Sequence, residues 1–101
     1  YTTTLFYDGL EALDHFKVHL DEYNLVFTDQ ILSGISGFEM SQEILILKPD
    51  IPIILSTGYS TAVTEEEALE AGIRCFLHKP VKITKLTRKI WELINFNFAE
   101  R

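Results

Sequence analysis

Short apolar runs alternate with segments of helical spacing along this chain, and each later run stops at a polar residue. Residues 2–6 are β-branched and aromatic and read as a strand. Asp8 and Gly9 open a helix to about residue 20, with Leu10, Leu13 and Phe16 at helical spacing and Asp8 as the N-cap. Residues 25–28 form an apolar run without polar alternation, the mark of a strand buried on both faces, and Asp29 ends it. A loop over residues 30–37 leads to a helix over residues 38–47, stopped by Lys48-Pro49. Residues 51–55 give the next strand, and residues 56–60 a polar loop. Thr61 or Thr64 is placed to cap a helix that runs to Glu70, and Gly72 sits where a helix C-terminus takes glycine. A fourth strand over residues 74–77 precedes Lys79-Pro80. The last helix spans residues 84–94, with Ile83, Leu86, Ile90 and Leu93 along one face, and residues 95–101 show no pattern and read as a tail.

Strict alternation of strand and helix predicts an α/β fold, a parallel sheet with helices on both faces and right-handed crossovers. In such sheets ligands sit outside the carboxyl ends of the strands. Asp29, Thr57 and Lys79 each follow a predicted strand, so all three belong at one edge of the sheet. A carboxylate there can attack phosphorus, while a hydroxyl and an ammonium bind phosphoryl oxygens. Singly, each has a plainer reading: a turn or cap aspartate, a loop threonine, a solvated lysine. Their joint order at successive strand ends is what favours chemistry.

With those residues in place, the chain resembles the bacterial response-regulator receiver family over about residues 1–94. Asp29-Gln30-Ile31-Leu32-Ser33-Gly34-Ile35-Ser36-Gly37 is similar to the family's phosphoacceptor loop, D-x-x-M-P-G-M-x-G. Residues 53–58 resemble the fourth strand with its Thr or Ser, Phe76-Leu77-His78-Lys79-Pro80 the fifth strand with its Lys-Pro step, and Asp8-Gly9-Leu10-Glu11-Ala12-Leu13 the start of the second helix. The resemblance implies a flavodoxin-like, doubly wound parallel sheet in the order 2-1-3-4-5. It also implies roles. Asp29 accepts phosphate from a phosphohistidine on a histidine kinase or phosphotransfer domain. Thr57 and Lys79 bind the phosphoryl oxygens, and Phe76 is the switch aromatic, with core packing as its alternative. The Ile31 carbonyl and Asp29 ligate Mg²⁺, and the Lys79-Pro80 bond is cis, an isomer that only X-Pro bonds adopt cheaply. The face around residues 62–94 meets an output domain or target protein. The domain is cytoplasmic and is a signalling phosphoacceptor rather than a conventional enzyme, although the family catalyses its own phosphotransfer and dephosphorylation.

Two positions depart from that pattern. Ser33 stands where the family usually has Pro, which is expected to loosen the loop slightly. The chain also opens at what resembles the second strand, without the first strand, the first helix or the acidic pair that binds Mg²⁺. Tyr1 in place of Met gives the expectation that the chain is cut from something longer. In the family order the absent strand is central, so both neighbours have unpaired backbone groups, costly when buried. The residues alone are therefore expected to fold poorly, to pair residues 1–6 directly with 25–28, or to borrow a strand from another chain. Asp29 and the Ile31 carbonyl alone are expected to hold Mg²⁺ weakly or not at all, because Mg²⁺ prefers about six oxygens. A degenerate receiver that only binds partners is the alternative reading. A phosphohydrolase of the haloacid-dehalogenase type shares Asp, Thr and Lys, but needs a second Asp where Ile31 stands.

Composition removes other classes. The formal net charge of -6 argues against direct nucleic-acid binding, which needs a basic footprint. Cys75 is the sole cysteine, so an internal disulfide and a cysteine-built zinc site are excluded. No apolar stretch approaches the roughly 18 to 20 residues of a membrane helix. His15 and His19 read as surface histidines, Glu65-Glu66-Glu67 as a solvated first helical turn, and Trp91 as core packing, with a partner surface as the alternative should it be exposed.

Overall fold

Ile53-Ile54-Leu55-Ser56-Thr57 is buried along its whole length, as an apolar run between two parallel neighbours must be. In the computed structural model, residues 8–58 and 63–99 are described, without the side chains of residues 96–99. The elements are α1 (Gly9–Val18), a 3-10 turn (Leu20–Glu22), β1 (Val26–Asp29), α2 (Gly37–Leu47), β2 (Ile53–Thr57), α3 (Glu65–Glu70), β3 (Cys75–His78) and α4 (Ile83–Ala99). The three strands are parallel in the order β1-β2-β3. This is the parallel α/β architecture that the alternation predicts. The strand expected over residues 2–6 lies outside the described residues, and so does its pairing with 25–28.

Register divides the side chains between the two faces of the sheet. Val26, Ile53, Thr28, Leu55 and Phe76 fall on one side. There Ile53 and Leu55 join Leu13 and Phe16 of α1, Met40 and Ile44 of α2, and Ala68 of α3 in one core cluster, with Val26 and Phe76 packed against it. Phe27, Ile54 and Cys75, then Asp29, Ser56 and Leu77, fall on the other side. Ile54 is fully buried there, whereas its neighbour Phe27 is 45% exposed. Among the described residues, this second face is thus covered over β2 and left open over β1. The outer edge of β1 borders a groove of ≈ 420 Å³, lined in part by Phe16, Val26, Phe27, Leu32 and Met40.

Local chemistry explains most element ends. The Asp8 carboxylate accepts from Leu10 N–H at 2.8 Å and Glu11 N–H at 3.1 Å, so the predicted cap is formed. Asp8→Ala is expected to cost about 1 kcal/mol of stability, the usual worth of such a cap, measured by urea unfolding. The 3-10 turn after α1 is tied down by Lys48, whose Nζ donates to the carbonyls of Leu20 at 2.7 Å and Tyr23 at 2.8 Å. Thr64, not Thr61, caps α3, and with Glu67 it forms a reciprocal capping box. Gly72 follows α3 at φ +104, a backbone conformation that side-chain-bearing residues rarely adopt.

Several expectations are corrected. α1 stops at Val18, because His19 leaves helical geometry and donates its N–H to the Phe16 carbonyl. The last helix continues to Ala99, through residues read as a tail, and Asn95 Nδ2 donates to the Trp91 carbonyl at 2.7 Å within it. Trp91 is 66% exposed, although Ile94, one turn on in the same helix, is buried. Ile83 is 80% exposed despite sharing the predicted apolar face. His15 and His19 are not free surface side chains. Their rings stack with centroids 4.1 Å apart, and His15 Nε2 lies 2.6 Å from the Tyr23 hydroxyl. The Ser33 carbonyl accepts from the N–H groups of Gly9 at 2.8 Å and Ile35 at 3.2 Å, bonds that a proline at this position would also make.

Candidate functional site

Three strand ends converge because backbone bonds carry the sheet one step past each strand. Gln30 N–H donates to the Ser56 carbonyl at 2.9 Å, and Lys79 N–H donates to the Thr57 carbonyl at 2.8 Å. Asp29 and Lys79, fifty residues apart in sequence, thereby meet: Lys79 Nζ donates to Asp29 Oδ2 at 2.5 Å. The Lys79-Pro80 peptide bond is cis. The pair opens onto a pocket of ≈ 590 Å³ lined by Phe27, Asp29, Ser56, Gly58, Lys79, Pro80 and Val81. That is ample room for a phosphoryl group.

The pair is half-exposed, with side-chain accessibilities of 44% for Lys79 and 36% for Asp29. Solvent screening keeps such a pair a minor contributor to stability. Its value is chemical. The ammonium holds one carboxylate oxygen, while Asp29 Oδ1 is buried with no hydrogen-bond partner among the described residues. Thr57 Oγ1 is also buried without a partner, on a residue that is 0% exposed. Orphaned buried polar atoms are uncommon and costly, and among the described residues these two stand at one sheet edge, where a polar ligand could satisfy them.

The other predicted residues are placed less directly. Thr57 lies at the same sheet edge but one register step beyond the Asp29–Ser56 level, and its hydroxyl bonds neither Asp29 nor Lys79. Phe76 is half-buried against the core and meets His78 edge-on at 5.3 Å. Ile31 is 70% exposed beside the acceptor. Cys75 sits two residues before Leu77 on the same strand, and burial raises its thiol pKa above the ordinary value.

Sequence reasoning gave Gln30 no role, and gave Gly37 only its place as the last glycine of the acceptor-loop pattern. Gln30 Oε1 accepts from Phe38 N–H at 2.8 Å, and Gly37 packs directly on the Asp29 main chain. No linear spacing signals either contact.

The donor set tests the fit of Mg²⁺. Among the described residues no three His, Cys, Asp or Glu side chains converge on one point, and residues 1–7 contain no acid. A single carboxylate does not meet the six-oxygen demand of this cation. The residues present therefore do not form a Mg²⁺ centre by themselves.

Comparison with known proteins agrees with this geometry. The sequence profile of the Response regulator receiver domain family matches residues 1–91. The transcriptional regulatory protein ZraR of Klebsiella oxytoca is 34% identical over 94 residues, 93% of this chain and 21% of that protein. The response regulator RppA of a Synechocystis strain is 29% identical over 83 residues, 82% of this chain and 36% of that protein. The chain thus spans about a fifth to a third of these curated relatives. Among solved structures, a receiver domain from Clostridium thermocellum superposes with a TM-score of 0.86 at 26% identity, covering 93% of this chain and 75% of that one. A CheY-like receiver domain from Methanospirillum hungatei gives 0.81 at 27% identity, covering 93% and 74%. No helix among the described residues is long and apolar enough to cross a membrane. The matched profile, the shared parallel sheet and the Asp29–Lys79 pair agree: the chain belongs to the response regulator receiver domain family.

Proposed function

We propose that the chain is the phosphoacceptor module of a two-component phosphorelay, with Asp29 as the acceptor. The observation that carries this reading is the Asp29–Lys79 pair, one carboxylate oxygen held at 2.5 Å and the other buried and unpartnered. A carboxylate oxygen attacks the phosphorus of a phosphohistidine on a histidine kinase or phosphotransfer domain. The P–N bond breaks, its electron pair stays on the imidazole nitrogen, which takes up a proton, and Asp29 becomes an acyl phosphate. Lys79 Nζ shifts from the carboxylate to a phosphoryl oxygen, which offsets charge where it accumulates. The Thr57 hydroxyl finds in another phosphoryl oxygen the partner it lacks. Because Thr57 is fully buried, its movement disturbs the packing around Phe76, and the face around residues 62–94 reads out the change. Trp91 and Ile83, both exposed on α4, give an output domain or target protein an apolar contact. Mg²⁺ is the expected metal of this chemistry, and no step here is assigned to it.

The test is acid-labile labelling by a small acyl phosphate in the presence of Mg²⁺. Asp29→Asn is expected to abolish it in the intact protein. Labelling that survives this substitution overturns the assignment, and an intact protein that is never labelled is instead a receiver that only binds partners.

A further inference from the structure

Gln30 stands at an unspecified position of the acceptor loop, yet it makes three hydrogen bonds. Its N–H donates to the Ser56 carbonyl at 2.9 Å, its carbonyl accepts from Gly37 N–H at 2.9 Å, and its side-chain Oε1 accepts from Phe38 N–H at 2.8 Å. Gly37 and Phe38 are the first two residues of α2. The N–H groups of a helix's first turn have no partner within the helix. One residue therefore satisfies the first two of them. The third, Glu39 N–H, goes to the Ser36 hydroxyl at 3.1 Å, the ordinary cap. The bonds from Gln30 are thus additional to normal capping, and they fasten α2 to the end of β1.

The fastening bears on the acceptor because the two backbones touch. A Cβ built on Gly37 falls 2.0 Å from the Asp29 carbonyl oxygen and 2.8 Å from its carbonyl carbon. With so little clearance, a drift of the α2 N-terminus displaces Asp29 itself. Gln30 is also joined through Ser56 to the strand that ends at Thr57. It lies where acceptor, helix and Thr57 strand meet.

We propose that Gln30 is a positioning residue for phosphoryl transfer, its amide oxygen setting the α2 N-terminus and through it the aim of the Asp29 carboxylate. This rests on the reading of Asp29 as the acceptor. Misplacement of a reacting group by about 1 Å can cost on the order of 100-fold in rate, so a modest release of α2 is enough to be seen.

The test compares Gln30→Met, which keeps the length of the side chain without an acceptor, with Gln30→Glu, which keeps an acceptor oxygen. Labelling by acetyl phosphate is measured in the intact protein with Mg²⁺, per folded molecule as judged by far-UV circular dichroism. Gln30→Met is expected to lower the maximal rate about 10- to 100-fold with little change in the KM for the donor. Gln30→Glu is expected to restore the maximal rate to within a few-fold and to raise KM, because its charge repels the anionic donor. A purely structural role moves the folded fraction and not this split. Labelling lost in Asp29→Asn but unaltered in Gln30→Met overturns the inference alone, as does a Gln30→Glu no faster than Gln30→Met. Labelling that survives Asp29→Asn overturns the acceptor reading and this inference with it.

Discussion

Gly37→Ala is expected to destabilise the chain by about 3 kcal/mol or more, the combined cost of overpacking and broken capping bonds. The added methyl would lie 2.0 Å from the Asp29 carbonyl oxygen and 3.1 Å from Gln30 Cα. Those atoms are backbone, so no side chain can swing aside. α2 has to move, and two bonds go with it: Gly37 N–H to the Gln30 carbonyl at 2.9 Å and Phe38 N–H to Gln30 Oε1 at 2.8 Å. A loss of this size in a domain of about 100 residues lowers the thermal midpoint by more than about 10 °C. Gly58→Ala is the control. No atom of the described residues lies within 4 Å of a Cβ there, and Gly58 has no positive φ. It is expected to be neutral or to stabilise by about 0.4–1 kcal/mol through the unfolded chain. Urea unfolding of both variants decides the matter, and a Gly37→Ala as stable as the parent means that α2 does not rest on the acceptor.

The contrast between these two glycines shows how far the sequence could be read. β2 was legible because Ile53-Ile54-Leu55 is continuously apolar and β-branched in part, and burial at both faces demands that composition. Asp29, Thr57 and Lys79 were legible as strand-end residues, because parallel sheets gather their carboxyl ends at one edge. The end of α4 was not. Asn95 looks like a terminator, yet its side chain bonds back to the Trp91 carbonyl and the helix goes on. The exposure of Trp91 decides between core packing and the alternative of a partner surface, because helical spacing alone does not say how wide the buried face is. The histidines are four residues apart as helical spacing requires, but His19 stands just past the helix end, and His15 also meets Tyr23, eight residues on and across a turn. The contacts of Gln30 and Gly37 were invisible for a different reason, although Gly37 ends the acceptor-loop pattern. Both serve a contact between a strand end and a helix start, and both types are common in loops. The orphaned hydroxyl of Thr57 likewise belongs to the packed state and to no linear pattern.

That hydroxyl leads to the second large effect. Thr57→Val is expected to stabilise the unphosphorylated chain while removing its response to phosphorylation. The Thr57 side chain is fully buried, and its Oγ1 has no partner. An unsatisfied buried hydroxyl costs about 1–3 kcal/mol, and valine fills nearly the same volume without it. A gain of about 1 kcal/mol, some 4–8 °C in thermal midpoint for a domain of this size, is the expected result. Retaining the polar group therefore trades stability for function. On the proposed reading, the variant is expected still to accept phosphate at Asp29, because Lys79 remains on the carboxylate at 2.5 Å. What is lost is the pull on β2. With no hydroxyl to bond the phosphoryl oxygen, Thr57→Val leaves the packing around Phe76 as it was. Amide NMR shifts of residues 75–78, recorded before and after phosphorylation, are expected to move in the parent and stay in place in the variant. A Thr57→Val that lowers stability by more than about 1 kcal/mol shows that the hydroxyl already has a partner. One whose Phe76 amide still shifts on phosphorylation shows that the signal leaves Asp29 by another route. Because gain and loss come from the same oxygen atom, the two measurements together separate a poised switch from a merely imperfect core.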